Sequence, residues 1–512
     1  MHRQRSARET ISAKKMHKRE RRRHYSLHTT ATEKQRKRVL GGGSLMLVTL
    51  YLAFCLLSCT DSIHYSNDPT HRLRFGCDTV AFDTMFTAVG SSTGVFVVYN
   101  PNNEALSLPD VRLACGDASP FRVNLDGEYN TAWHDVELRA HDSLYVFVEV
   151  TIDPHEEDLP FEVRDSLVFT LASGIQQHVL LTAWGRDAYI LDAVTLTDSL
   201  TILPATRPIF VSDSLVVAEG ATLRLSPGCT LHFHADAGLS VYGTIEALGT
   251  KDSLVVFRGD RFDRMFSYLP YDWVKDQWQG ITLHSCSHDN LFQYADIHGS
   301  TYGIRSEATD MEHILFTMEN SQIHNIGGTG LDLMLSVGSA INCQFSNAAP
   351  HCIKICGGRY EFIHCTIANL WPWSANKEEA LYLCNTDETH FWPLLGVNFT
   401  NCIVTGWGDD ELAGLVIDTL DDYHFSHCLI NSCPDRSTHF NDIVWESPDS
   451  AVWGKGNFVE HSISFYYDFH LDSLSRARCI GDPAVLPLVP YDRDGELRPT
   501  PPDAGCYQYK EE

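Results

Sequence analysis

Phe292-Gln293-Tyr294-Ala295-Asp296-Ile297 sets a pattern that returns as Met318-x-x-Ser321-x-Ile323, Cys343-x-Phe345, Phe362-x-x-Cys365-x-Ile367, Phe399-x-x-Cys402-x-Val404 and Phe425-x-x-Cys428-x-Ile430. The small residue recurs at intervals of 26, 22, 22, 37 and 26. Four positions after it stands Gly299, Asn325, Asn347, Asn369, Gly406 or Ser432, types that tolerate the left-handed backbone of a sharp corner. A second ladder runs between the first, as Gly303-Ile304, Gly330-Leu331-x-Leu333, Cys352-Ile353-x-Ile355, Ala380-Leu381-x-Leu383 and Gly414-Leu415-x-Ile417. Units of this length cannot bury a core alone; stacked, they share a continuous one. The pattern therefore predicts a parallel β-helix.

Outward from this stretch, Ala221 to Gly228 and Leu239 to Ile245 resemble the first coils of the right-handed β-helix repeat family. Asp492 to Pro499, with Pro502 to Tyr507, resembles that family's closing segment. From about Phe75 to Asp187 the alternation is strict and short, as in Gly94 to Tyr99, Ser143 to Val150 and Ser166 to Leu171, with Asn100-Pro101-Asn102-Asn103 as punctuation. Such strands read as an antiparallel sandwich, similar to the immunoglobulin-like modules of bacterial surface proteins. The expected fold class is all-β, an Ig-like β-sandwich followed by a right-handed parallel β-helix.

The N-terminus differs in kind. Fourteen Lys and Arg against three Glu precede the apolar run Leu45 to Leu57, which is shorter than the roughly 20 residues of a spanning helix and is laid out as a signal peptide. Leu56-Leu57-Ser58-Cys59 resembles the bacterial lipobox, which implies lipidation at Cys59 and anchoring to the outer membrane of a bacterial cell envelope. The expected organisation is a signal peptide over 1–58, a lipidated linker over 59–74, the sandwich over 75–190, the β-helix over 191–445 and a closing segment over 446–512. Beyond residue 58 the chain holds 25 Lys and Arg against 63 Asp and Glu, a net charge of about −38. Such a surface excludes nucleic acid as a partner, because phosphate recognition needs clustered cations. Partner proteins are not indicated.

Sixteen cysteines in an exported chain would suggest disulfides. Cys343, Cys365, Cys402 and Cys428, however, share the ladder position of Ala295 and Ser321, so they are expected as buried fillers. No metal and no cofactor is expected, since His351, Cys352 and Cys356 match no ligand spacing.

The spacing from first to second ladder is 8, 9 and 9 residues, then 15 and 12 for the coils beginning at Cys365 and Cys402. These longer corners carry Trp371 and Trp373, and Trp407, Asp409, Asp410 and Glu411; Trp392 stands between them, in the connection after Leu383. Aromatic rings beside carboxylates suit polysaccharide, with rings stacking on sugars and acids accepting from hydroxyls. Trp371 and Trp373 equally suit covering the flank of the stack. A second aromatic insertion runs from Phe262 to Trp278. Asp387, Asp409 and Asp410 resemble the first two acidic motifs of the polygalacturonase family, which implies glycoside hydrolysis by paired carboxylates. The family's later Gly-His-Gly and Arg-x-Lys motifs have no counterpart, so binding without catalysis is the expectation, with a polysaccharide-cleaving enzyme and a structural stalk or adhesin as alternatives.

Overall fold

In the computed structural model, the described residues are 64–156, 158–371, 377–386, 389–415, 422–461 and 467–511. Residues 74–186 form two facing five-stranded sheets. Alternating residues such as Val146, Val148 and Val150 point between them and are fully buried. One strand pair is parallel, Thr79–Phe86 beside Gln176–Arg186, where the first long strand closes against the last.

From Tyr189–Leu191 onward successive coils lay their strands into three parallel sheets of eleven, nine and ten strands among the described residues, the last coils contributing to fewer than three. This is a parallel β-helix, and its register explains the repeat. Phe292, Met318, Ala340, Phe362, Phe399, Phe425 and Phe440 are successive partners in the ten-stranded sheet. Inside the stack their rings pile up, with centroids 4.7 Å apart for Phe362 and Phe399 and 4.6 Å for Phe399 and Phe425.

The corner into the eleven-stranded sheet is a single left-handed residue, the one before the small ladder residue: Tyr294, Asn320, Asn342, His364, Asn401, His427 and Asp442 all have φ between 46° and 56°. Asn tolerates this region better than most residues because its short polar side chain bonds locally. Asn342 donates to Asn320 Oδ1 across the coils at 3.2 Å. The corner expected four residues after the small residue is left-handed only at Gly299, Asn325 and Asn347. Asn369 and Gly406 instead end extended strands.

The cysteine ladder is as expected. Cys343, Cys365, Cys402 and Cys428 are fully buried and unpaired by disulfide. The Cys365 backbone N–H donates to Cys402 Sγ (3.4 Å) and that of Cys402 to Cys428 Sγ (3.3 Å), just as Ala295 N–H donates to Ser321 Oγ (2.9 Å). Each thiol then donates to a carbonyl, Cys402 to Thr400 O at 3.4 Å. A small side chain that both accepts and donates satisfies a corner the sheet ladder leaves open. Burial pushes the Cys365 and Cys428 thiols well up.

Two parts of the register differ from the sequence reading. Leu381 pairs with Leu412, not Leu415, and Leu383 with Gly414. Glu411 therefore takes the inward position held by Ala380 one coil earlier, and the corner after Cys402 is of ordinary length. The closing segment adds no further coil to the stack. It folds back over the outer face of the eleven-stranded sheet, with Cys506 N–H donating to Thr366 Oγ1 (3.1 Å), Arg498 to Asn342 Oδ1 (2.8 Å) and Asp482 N–H to Asn401 Oδ1 (2.7 Å). Phe458, Phe469, Leu471 and Cys506 bury an apolar layer against Ala368, Ile403 and Leu429 of that face. At the other end of the same face Phe86 of the sandwich packs on Phe210, His232 and Phe262.

Candidate functional site

Covering both ends of the eleven-stranded sheet leaves its middle exposed as a cleft of about 290 Å³. The floor is made of outward side chains on Gln322–Ile326 and Gln344–Ala348: Gln322, His324, Gln344 and Ser346. Tyr467, Asp468, His470, Arg493 and Asp494 of the closing segment form one wall. Trp273, from the Phe262 to Trp278 insertion, completes the lining. The single-turn helix Tyr271–Trp273 holds that insertion in place, because Asp272 Oδ1 reaches down to His298 Nε2 (2.9 Å) and Arg258 (2.8 Å).

Two charge networks flank the cleft. In the first, His298 lies between two carboxylates, Nδ1 on Asp296 Oδ1 at 2.9 Å and Nε2 on Asp272 Oδ1, and His324 Nε2 meets the same Asp296 oxygen at 3.0 Å. The two imidazoles stack at 4.8 Å. Burial opposes a charge on His298, but Asp296 and Asp272 outweigh it and lift the imidazolium to about 10. Burial likewise opposes ionisation of Asp272, and His298 and Arg258 outweigh it, bringing it down to about 2.

In the second network His470 bridges Asp468 (2.5 Å) and Asp494 (2.9 Å) over the ring of Tyr507. Burial opposes its charge too, yet the two carboxylates hold it up at about 9. A folded value above the free one of about 6.5 makes the clamp's contribution complete below pH 6.5 and lost as pH rises through 9. Both carboxylates are lowered, through hydrogen bonds to His470 first, so their share is present above about pH 4 and lost on acidification. The thermal midpoint is accordingly expected to fall more between pH 6.5 and 9 in the native protein than in His470→Gln; parallel pH profiles would refute the clamp.

The sequence-predicted residues are dispersed. Trp371 is only 4% exposed, which is the flank-covering outcome, and its indole nitrogen has no partner among the described residues. Glu411 is fully buried; it pairs with Lys377 and accepts from Ala380 N–H (3.0 Å) and Gly408 N–H (2.6 Å). An acid at an inward position needs these partners, and with them it has no face left for a ligand. Trp392 is half-buried. Trp407, 42% exposed, lies under Lys455, whose ammonium is 4.9 Å from the ring, and borders a separate hollow of about 350 Å³ with Trp453 and Leu474. Asp409 and Asp410 are exposed beside it. Trp373, Asp387 and Cys59 lie outside the described residues.

Sequence reasoning missed Asp296, His298, His324, Gln344 and the wall from Tyr467 to Asp494 as a site. A signal was present for the floor: Asp296-x-His298 and Gln322-x-His324 sit at one phase of adjacent repeats, one and three places after the ladder residue, where period two turns side chains outward. The wall has no such signal, since its place depends on the closing segment folding back.

No family profile matches the chain, and no curated protein matches it. Among solved structures, the catalytic unit of a thermostable GH87 α-1,3-glucanase from Streptomyces thermodiastaticus is similar over 69% of this chain and 89% of its own, at 10% identity with a TM-score of 0.22. The catalytic domain of a GH87 α-1,3-glucanase in complex with tetrasaccharides is similar over 70% and 79%, at 11% identity and a TM-score of 0.17. A PapD-like domain of human CEP192 is similar over 25% of this chain and 95% of its own, at 10% identity and 0.16. Likenesses this remote carry no argument, and the fold rests on the strand pairing described above.

Proposed function

We propose that this chain is a lipid-anchored cell-envelope protein whose β-helix binds a glycan, or another extended surface component, in the cleft without cleaving it. The observation that supports this most is the composition of the lining: Trp273 and Tyr467 are aromatic, the residue class that stacks on the apolar side of a sugar, while Gln322, Asp468 and Asp494 belong to the classes that bond hydroxyls. The volume lies near the roughly 300 Å³ lower bound of ligand pockets. Binding without cleavage fits the state of the carboxylates, since Asp468 and Asp494 share His470 and Asp296 serves two imidazoles. Inverting or retaining hydrolysis requires one acid and one available carboxylate. One observation favours a cleaving enzyme instead: His324, oriented by Asp296, faces the cleft as a general base would.

A glycan array probed with the detergent-solubilised full chain tests the reading. At least one glycan class is expected to bind, with affinity falling about tenfold or more in Trp273→Ala and Gln322→Ala, as loss of a stacking or hydrogen-bonding contact worth roughly 1.4 kcal/mol implies, and unchanged in Trp407→Ala. Loss confined to Trp407→Ala would move the site to the other hollow, and an empty array would overturn glycan binding. New reducing ends released from a bound glycan would establish the enzyme. The anchor has its own test, because Cys59→Ala should take up no fatty-acid probe; labelling of that variant would contradict lipidation at Cys59.

A further inference from the structure

We propose that Asp296, His298 and His324 form a binding site for a divalent transition-metal ion of the zinc class, with one coordination position open to the cleft. Asp296 Oδ1 stands 2.9 Å from His298 Nδ1 and 3.0 Å from His324 Nε2, and the three potential ligand atoms lie within 4.8 Å of one another. An ion held at about 2.0–2.1 Å by nitrogen and oxygen separates its ligand atoms by roughly 3 Å, the spacing Asp296 Oδ1 already keeps from each imidazole nitrogen; the two nitrogens, within 4.8 Å of each other, draw toward that spacing as the ion enters. The positions are fixed by the sheet, since His298 and His324 are register partners on adjacent strands.

The surroundings of His298 supply the second, independent observation. Its far nitrogen, Nε2, faces Asp272, which is itself held by Arg258. A carboxylate on the distal nitrogen of a ligating imidazole fixes its tautomer and orientation and raises its basicity. With Nε2–H on Asp272, Nδ1 is the nitrogen turned toward Asp296 and free to ligate once its proton leaves. Entry of the ion displaces the proton on His298 Nδ1 and the one on His324 Nε2, and both go to solvent. Two imidazoles and one carboxylate without thiolate select zinc, iron, nickel or copper over calcium and magnesium, which prefer all-oxygen shells. Of the three ligands His324 lines the cleft, so the ion is approached from the cleft on the His324 side. Arg493 of the wall bonds Tyr507 Oη (2.5 Å) and Asn320 O (3.2 Å), and its charge is also felt by Asp296.

The site is independent of glycan binding and is tested without it. The chelator-treated full chain is titrated with Zn²⁺ by calorimetry, and uptake is repeated with Co²⁺ to read its visible absorption. One ion per chain is expected at this site, with absorption changing on coordination by nitrogen. His324→Ala should lose that ion, weakening affinity at least 100-fold, and Asp272→Asn should weaken it 10–100-fold as the supporting carboxylate is removed. His298 is buried, so its replacement could unfold the sheet; the other two variants keep the test valid and are checked by circular dichroism. Uptake identical in the native chain and His324→Ala, or no uptake by the native chain, would overturn the proposal.

Discussion

Cys402→Asp is expected to leave no stable β-helix, lowering stability by something on the order of 5 kcal/mol. Asp is close to Cys in size, so the loss is not steric. Cys402 is fully buried between Cys365 and Cys428, and its partners are thiols, backbone N–H groups and carbonyls. No cation lies among those partners to pair with a carboxylate. If the acid stays neutral it still must be protonated at the expense of about 1.4 kcal/mol per pH unit above its usual range. Cys402→Ser keeps a donor and an acceptor, as Ser321 does two coils before Cys365, and should cost only about 1 kcal/mol. Denaturant midpoints of the two variants decide the matter, and an Asp variant with the native midpoint would contradict the stacking. In the native protein Cys365 and Cys402 should also resist alkylation until unfolding.

Trp371→Ala should lower stability by about 3–5 kcal/mol, the cost of deleting a large buried ring whose cavity cannot fully collapse. Trp371 follows Leu370, a member of the apolar layer beneath the closing segment, and its backbone N–H meets Asn369 Oδ1 at 3.4 Å. Asn369 in turn donates to Ala348 O at 2.7 Å, tying the corner to the coil before it. Trp407→Ala is the matched control. With its ring 42% exposed under Lys455, it should cost about 1 kcal/mol or less. Thermal midpoints that shift equally in both variants would show that Trp371 is not the flank cover described here.

The β-helix was legible in the sequence because its inward residues repeat at a fixed phase, and only a stacked sheet gives Phe362, Phe399 and Phe425 the same environment. The register of the coil after Cys402 was not, for a chemical reason. Glu411 stands where the ladder wants a small residue and Gly414 where it wants Leu, so pattern matching slid three residues to Gly414-Leu415; only Lys377 and two backbone N–H groups make the buried acid tolerable. That slip also created the second long corner, the one expected to carry Trp407, Asp409 and Asp410. The cleft was legible in pieces. The insertion bearing Trp273 and the closing segment bearing Asp492 to Asp494 both stood out, but nothing local places them over Gln322 and Gln344. Their meeting follows from tertiary contacts between segments more than a hundred residues apart, such as Arg498 with Asn342.

Amide hydrogen exchange of the native chain, with and without its best glycan from the array, locates the binding surface most directly. Protection is expected at residues 322–326, 344–347, 467–470 and 493–494, the floor and wall of the cleft. Protection confined to residues 407–411 and 451–456, around Trp407 and Trp453, would contradict the assignment of the cleft as the glycan site.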